Sequence, residues 1–312
     1  MTKEMTEGSP LRLIFNFSLP LILGSLLQQT YSLIDAAIVG KYLGINDLAA
    51  VGASTSVVFL IIGFCTGCCC GFGIPVAQAF GARSYSDLRR YVANSLWVSL
   101  IISVVLAVVT SLLCERILFM MQTPHDILHH AYLYLLVTFI GIPFTFLYNL
   151  LSSLIRALGD SKTPFYFLLM AAILNIVLDL FCILILHWGV AGAATATVLA
   201  QAIVTAMFLL AARREMTVFP QIHIFQASQW RAWAEILKIG LPVSIQSMFF
   251  SGLSMILARL VAGWGDAAIA AQKVGSQIES ISYTTAEGFA TAVNAFIAQN
   301  FGAGRMERIR KG

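Results

Sequence analysis

Charge is scarce in this chain: only 11% of its 312 residues are Asp, Glu, Lys or Arg, against 59% that are hydrophobic. No soluble domain is evident in such a composition, and a net charge of +4 is too modest for a nucleic-acid patch. Of six cysteines, Cys65, Cys68, Cys69 and Cys70 bunch together while Cys114 and Cys182 stand apart, so nothing suggests a disulfide framework. The absence of a P-loop lysine motif argues against a self-contained ATP-driven pump. HExxH and GxSxG are missing too, as is any nucleophile paired with a base at one depth, and the reading is therefore of a protein that is not an enzyme.

What the chain has instead is long apolar runs and an internal repeat. Ala77-Gln78-Ala79-Phe80-Gly81-Ala82 returns 221 residues later as Ala298-Gln299-Asn300-Phe301-Gly302-Ala303. Leu48-Ala49-Ala50 and Ile269-Ala270-Ala271 share that spacing, and Leu19-Pro20 pairs with Leu241-Pro242 at 222. Repeats of this kind are characteristic of transporters.

Runs of about 20 apolar residues cover a hydrocarbon core of ~30 Å. They predict an all-α polytopic membrane protein with eight spans: 13–39, 51–80, 92–113, 131–154, 165–186, 190–211, 237–261 and 267–301. Residues 1–212 then form a lobe of six helices, 213–236 a linker, and 237–312 the first two helices of a second lobe. Six is even, so both copies enter the membrane in the same direction, as parallel repeats. A second copy equal to the first would continue for about 120 residues and four more helices, so the expectation is a truncated protein or fragment.

Fifteen of the 19 basic residues fall on one predicted side, among them Lys3, Arg12, Arg83, Arg156, Lys162, Arg305 and Arg308. Basic residues are retained on the cytoplasmic side, which puts the N-terminus and the linker there.

Ionisable groups inside a membrane cost ~2.5–3.5 kcal/mol on insertion scales and persist mainly where they face protein or water. Asp35 in the first helix, Asp179 in the fifth and Thr197 in the sixth lie at comparable depth, ~8–12 Å below the outer surface at 1.5 Å per residue. Asn175 is one turn from Asp179 on the same face. Together they offer hard oxygen donors for Na⁺ or a shared proton. The alternative is interhelical hydrogen bonding, which polar side chains commonly provide between membrane helices.

Gln201, Gln246 and Glu279 are candidate cavity residues, and Pro20 a candidate hinge, because proline removes a backbone hydrogen bond. Glu287 approaches the cytoplasmic end and is set aside. The Cys65–Cys70 cluster has CxxC spacing but lies in an apolar span, where packing is favoured over metal binding. His125, His129 and His130 read as a solvated turn.

Several motifs carry a specific resemblance. They are Leu33-Ile34-Asp35-Ala36-Ala37-Ile38-Val39-Gly40, Pro20, Asn175-x-x-x-Asp179, Gly159-Asp160-Ser161-Lys162-Thr163-Pro164, Gly189-Val190-Ala191-Gly192-Ala193-Ala194-x-Ala196-Thr197 and the repeated Gln-x-x-Gly-Ala. The chain resembles the multidrug and toxic compound extrusion (MATE) family, and within it the DinF-like prokaryotic branch.

The resemblance implies a 6+6 two-lobe fold around a central cavity, monomeric when full length, multi-pass in the cell inner (plasma) membrane. It implies antiport: export of amphipathic, often cationic organic compounds in exchange for H⁺ or Na⁺, with no other cofactor. Asp35, Asn175 and Asp179 would form the N-lobe cation site. The alternatives are a lipid-linked saccharide flippase of related fold, expected to hold more buried basic residues than this interior does, or an inactive truncated fragment.

Overall fold

Glycine, proline and short polar turns set the ends of the helices into which the apolar runs fold. The protein is seen in a computed structural model that describes residues 4–121, 123–215, 230–262, 264 and 266–312. The helices are α1 (Pro10–Tyr42), α2 (Ile45–Gly81), α3 (Tyr85–Leu112), α4 (Cys114–Met120), α5 (His125–Ile140), α6 (Ile142–Ala157), α7 (Lys162–Leu180), α8 (Gly189–Glu215), α9 (Trp230–Ala262), α10 (Asp266–Gly302) and α11 (Met306–Lys311). Much of the linker expected at 213–236 lies outside the described residues.

Among the described residues, five helical stretches are long and apolar enough to cross a membrane: α1, α2, α3, α7 with its extension to Ile185, and α8 up to Ala212. A sixth is the pair α5 and α6, bent by 47° within the single run expected at 131–154. Gly141 caps one helix and Pro143 opens the next, since a proline in the first turn sacrifices no hydrogen bond. The spans expected in 237–261 and 267–301 correspond to α9 and α10, helical over 33 and 37 residues.

The 159–164 motif is a helix start. Gly159 takes φ +84°, and the Asp160 carboxylate accepts from the backbone N–H groups of Lys162 (2.9 Å) and Thr163 (3.1 Å) and from the Thr163 hydroxyl (2.6 Å). Orphan donors at the α7 N-terminus are thereby satisfied.

Membrane packing turns the usual pattern outward. On α3, Leu100, Ile101, Val104, Val105, Val108 and Val109 are exposed, whereas Ser95, Ser99, Ser103, Ala107 and Thr110 are buried. Small and hydroxyl side chains let helices approach, and the branched ones face lipid. The main core joins α2, α3, α5, α6 and α8 around Phe72, Phe139, Phe146 and Phe208. Cys65, Cys68 and Cys69 are buried in it, and all six cysteines are free thiols. Among the described residues no group of three or more His, Cys, Asp or Glu is placed to hold a metal. His130 Nδ1 contacts Asp47 Oδ1.

The repeated motif builds the same helix end twice. Ala82 N–H bonds to the Gln78 carbonyl (2.9 Å), Arg83 to Phe80 (3.0 Å) and Ser84 to Ala79 (3.0 Å). In the second copy Ala303 bonds to Gln299 (3.0 Å), Gly304 to Phe301 (3.0 Å) and Arg305 to Asn300 (2.9 Å). The residue in the left-handed region is Arg83 (φ +56°) in one and Gly304 (φ +70°) in the other. The two ends cross each other closely: a Cβ added at Gly81 would lie 1.9 Å from the Gln299 carbonyl oxygen, and one at Gly302 would lie 1.9 Å from that of Gln78.

The halves also meet along α2 and α9, and along α1 and α10. Gly67 and Gly71 of α2 lie against the backbone of Ser244 and Gly240, with added Cβ atoms falling 2.5 and 2.4 Å from their Cα atoms. On the other side, Gly288 of α10 faces the Ile22 side chain of α1.

Candidate functional site

A cavity of about 320 Å³ opens between α1, α2, α6, α7, α8 and α10, a size suited to a drug-like molecule. Its wall includes Pro20, Gln28, Tyr31, Tyr148, Asn149, Arg156, Phe165, Asn175, Thr197, Gln201 and Glu287.

The structure brings the predicted oxygen donors together. Asn175 Nδ2 donates to Thr197 Oγ1 at 3.1 Å across α7 and α8, and that hydroxyl also donates to the Ala193 carbonyl at 3.2 Å. Asp35 and Asp179 lie within interaction distance of each other across α1 and α7. They stand behind the cavity wall and not on it: Asp179 is 0% exposed. Among the described residues, Asp35 Oδ1, Asn175 Oδ1 and both Asp179 carboxylate oxygens are buried with no hydrogen-bond partner. Orphaned buried acceptors are costly, so such a cluster calls for a proton or cation.

Directly after Asp179 the helix widens into a π turn, Phe181–Ile185, in which Leu186 N–H reaches the Phe181 carbonyl at 3.1 Å. π turns recur at functional sites because they re-aim neighbouring side chains. The apolar run 165–186 carried no sign of it.

The other predicted residues divide. Gln201 lines the cavity, its carboxamide oxygen accepting from the Thr145 hydroxyl. Pro20 lines it as well, inside an α1 that continues on both sides. Gln246 and Glu279 are exposed and outside the cavity lining. Four residues not singled out for the site belong near it: Glu287 and Arg156 on the cavity wall, and Tyr31 and Tyr134 within electrostatic reach of both Asp35 and Asp179. Tyr31 stands one turn before Asp35, a helical neighbour visible from spacing; Tyr134 is brought in by packing alone.

The N-terminal segment is tied to the end of α10 and to α11. Met5 N–H donates to Gln299 Oε1 (2.8 Å) and Gln299 Nε2 donates to the Ala157 carbonyl (2.8 Å). Asn300 Nδ2 donates to the Met5 carbonyl (3.2 Å), Arg308 to that of Gly8 (2.8 Å), and Arg305 to that of Thr6. Gln299 and Asn300 are both 0% exposed, and Met5 packs with Ile14, Phe17, Ala292 and Phe296.

Helices long enough to span a membrane, an internal repeat, and a polar cavity backed by buried carboxylates define a membrane transporter. The MatE family profile matches residues 20–181 and 242–311, and the chain belongs to this family of multidrug transporters, which are not enzymes. It is 31% identical over 306 residues to the probable multidrug resistance protein YpnP of Bacillus subtilis, with 98% of this chain and 68% of that protein aligned. With YoeA of the same organism, also a probable multidrug resistance protein, identity is 30% over 318 residues, covering 100% and 69%. Among solved structures, the outward-facing form of a multidrug resistance MATE transporter matches with TM-score 0.90 and 25% identity, covering 99% of this chain and 70% of that one.

Proposed function

We propose that the chain is the N-terminal lobe and the beginning of the C-terminal lobe of a drug/ion antiporter of the DinF-like branch. It would export amphipathic, often cationic organic compounds in exchange for H⁺ or Na⁺. The observation that carries this reading is the group of buried oxygens, unpartnered among the described residues, on Asn175 of the cavity wall and on Asp35 and Asp179 behind it. On this reading α9 and α10 are the seventh and eighth spans, and the end holding Glu4, Arg83 and Arg308 faces the cytoplasm of the cell.

The mechanism follows from charge. Two carboxylates close together in a low-dielectric interior repel each other, and a proton or Na⁺ at the pair relieves that repulsion. Asp35 rides on α1 and Asp179 on α7, which pack along each other, so ion occupancy alters how tightly the two helices hold together. Pro20, whose ring leaves a backbone carbonyl without its helical partner, is where α1 would bend to shrink the cavity and displace cargo. An ion that binds one bend of α1 more tightly than the other couples its gradient to export, since a ligand shifts an equilibrium only by its differential affinity.

Efflux of a fluorescent organic cation from cells lacking their own pumps, with Na⁺ and pH gradients imposed separately, tests the reading. Asp179→Asn should abolish gradient-driven efflux. Efflux unchanged by that substitution would remove the carboxylate pair from the mechanism, and Pro20→Ala with full transport would remove the hinge.

A further inference from the structure

Residues 4–8 are held where a chain near its terminus is ordinarily loose: Met5 is 2% exposed and Thr6 5%. Nearly all of the grip comes from the second repeat. Gln299 accepts from the Met5 N–H at 2.8 Å, Asn300 donates to the Met5 carbonyl at 3.2 Å, Arg308 donates to that of Gly8 at 2.8 Å, and Arg305 donates to that of Thr6 and pairs with Glu7 at 3.7 Å. At the 221-residue spacing the counterparts of these four residues are Gln78, Ala79, Ser84 and Asp87. Ala79 has no side-chain donor, and the Ser84 hydroxyl donates to Asp87 instead, at 2.8 Å. The seat for residues 5–8 is therefore no by-product of the duplicated helix end, since only the second copy carries the amide of Asn300 and the two guanidiniums that build it.

Two bonds reach across to the first repeat. Glu4 pairs at 2.9 Å with Arg83, just beyond the end of α2, and Gln299, while holding Met5, donates to the Ala157 carbonyl of α6 at 2.8 Å. Arg83 is two residues from Gly81, which meets the Gln299 main chain, so the segment sits where the two repeats touch. It also runs straight into α1 at Pro10, a helix of the first repeat. Transporters built from repeats work by rocking one repeat against the other, so ends that touch in one state part in the next. We propose that residues 4–8 are a latch across this junction, seated on the second repeat and joined to the first through α1 and Arg83, which favours the state with these ends together. The ends part when Met5 leaves its seat. The latch is independent of which ion and which cargo the cavity takes.

Spin labels attached through Ser86→Cys and Glu307→Cys, exposed positions of α3 and α11 that are equivalent in the two repeats, read the separation of the ends by pulsed electron resonance. The native cysteines are replaced and the chain is reconstituted in lipid nanodiscs. The short distance should dominate in the otherwise unaltered chain. Arg305→Gln combined with Arg308→Gln, which weakens the seat and leaves the helix interiors alone, should raise the ratio of long to short distances about tenfold, as loss of a hydrogen bond to a charged group would. Met5→Asp, which puts a charge among Ile14, Phe17 and Phe296, should do the same. Asp87→Asn, at the counterpart of Arg308, should leave the ratio unchanged. Cleavage after Glu4 and Glu7 by a glutamate-specific protease should quicken in step with the opening, and a melting curve of each variant separates loss of the latch from loss of fold. If the variants quicken cleavage while the distances stay short, residues 4–8 pack on the junction without holding it. Distances that lengthen with no change in cleavage would overturn the latch as well, because the ends would then part with Met5 still seated.

Discussion

The crossing of α2 with α9 and the crossing of α1 with α10 are repeat-related, yet they are filled differently. Gly67 and Gly288 are equivalent at the 221-residue spacing, as are Ile22 and Ser244 at 222. In the first crossing Gly67 touches the Ser244 backbone; in the second Gly288 touches the Ile22 side chain. One turn along, Gly71 and Gly240 meet backbone to backbone, while their counterparts Ala292 and Ser18 are larger and both buried. Duplication thus preserved which helices cross and left their separation to the residues in the gap. Backbones can come this close only where no Cβ intervenes.

The largest expected effect tests the part of the repeat that stayed alike. Gly81→Ala and Gly302→Ala each drive a methyl into a carbonyl 1.9 Å away that cannot rotate aside. Each should cost about 3 kcal/mol, at the upper end for overpacking, and the two should match when melting is followed in detergent. A large inequality would break the symmetry of that crossing.

Next come the crossings that differ. Gly67→Ala should cost about 2 kcal/mol and Gly288→Ala somewhat less, because the second meets a side chain. Ile22→Ala added to Gly288→Ala should recover stability, whereas Ser244→Ala added to Gly67→Ala should not, since the obstacle there is main chain. Recovery in both, by the same melting assay, would show the α2–α9 contact to be looser than it looks.

The asymmetry of the motif's glutamines is smaller in energy. Gln299→Leu strands the Met5 N–H and the Ala157 carbonyl, costing about 1.5 kcal/mol, and should speed proteolysis of the N-terminal segment. Its counterpart Gln78, whose side chain makes no hydrogen bond among the described residues, should tolerate Leu with little change.

The smallest effect concerns the left-handed caps. Gly304 has open space around it, so Gly304→Ala isolates the backbone penalty of φ +70°, about 1 kcal/mol. Arg83→Gly at the matching turn relieves that strain while losing the exposed 2.9 Å pair with Glu4, and melting should hardly move.

Much of this architecture was legible in residue order. The expected ends of the first two spans lie within about six residues of α1 and α2, because hydropathy changes sharply where the chain leaves lipid. Asn175, Thr197, Asp35 and Asp179 could be matched in depth because helical rise is constant, and the Asn175–Thr197 bond joins two of them. Pro143 marks a helix distortion in the sequence, but the size of the 47° bend at Gly141 was not legible, nor was the π turn after Asp179, since an apolar run reads alike whether its helix is regular or widened.

Glu287 and Arg156 teach a sharper lesson. Counting residues from a helix end placed them near the cytoplasmic boundary, but whether a side chain there turns to water, lipid or cavity depends on how its neighbours cross. Gln246 and Glu279 show the converse, polar groups at suitable depth that are exposed and outside the cavity lining.

Sequence alone determined the membrane class, the positions of the long helical runs, the repeat and the relative depth of the buried acids, because each depends on hydropathy and on a fixed rise per residue along one helix. Tertiary structure decided that Asp35 meets Asp179, that Arg156 enters the cavity, and that residues 5–8 are held by Gln299, Asn300 and Arg308. Those contacts join residues from about 140 to 300 positions apart, and they depend on how closely glycine-lined helices can approach, which no local stretch of chain specifies.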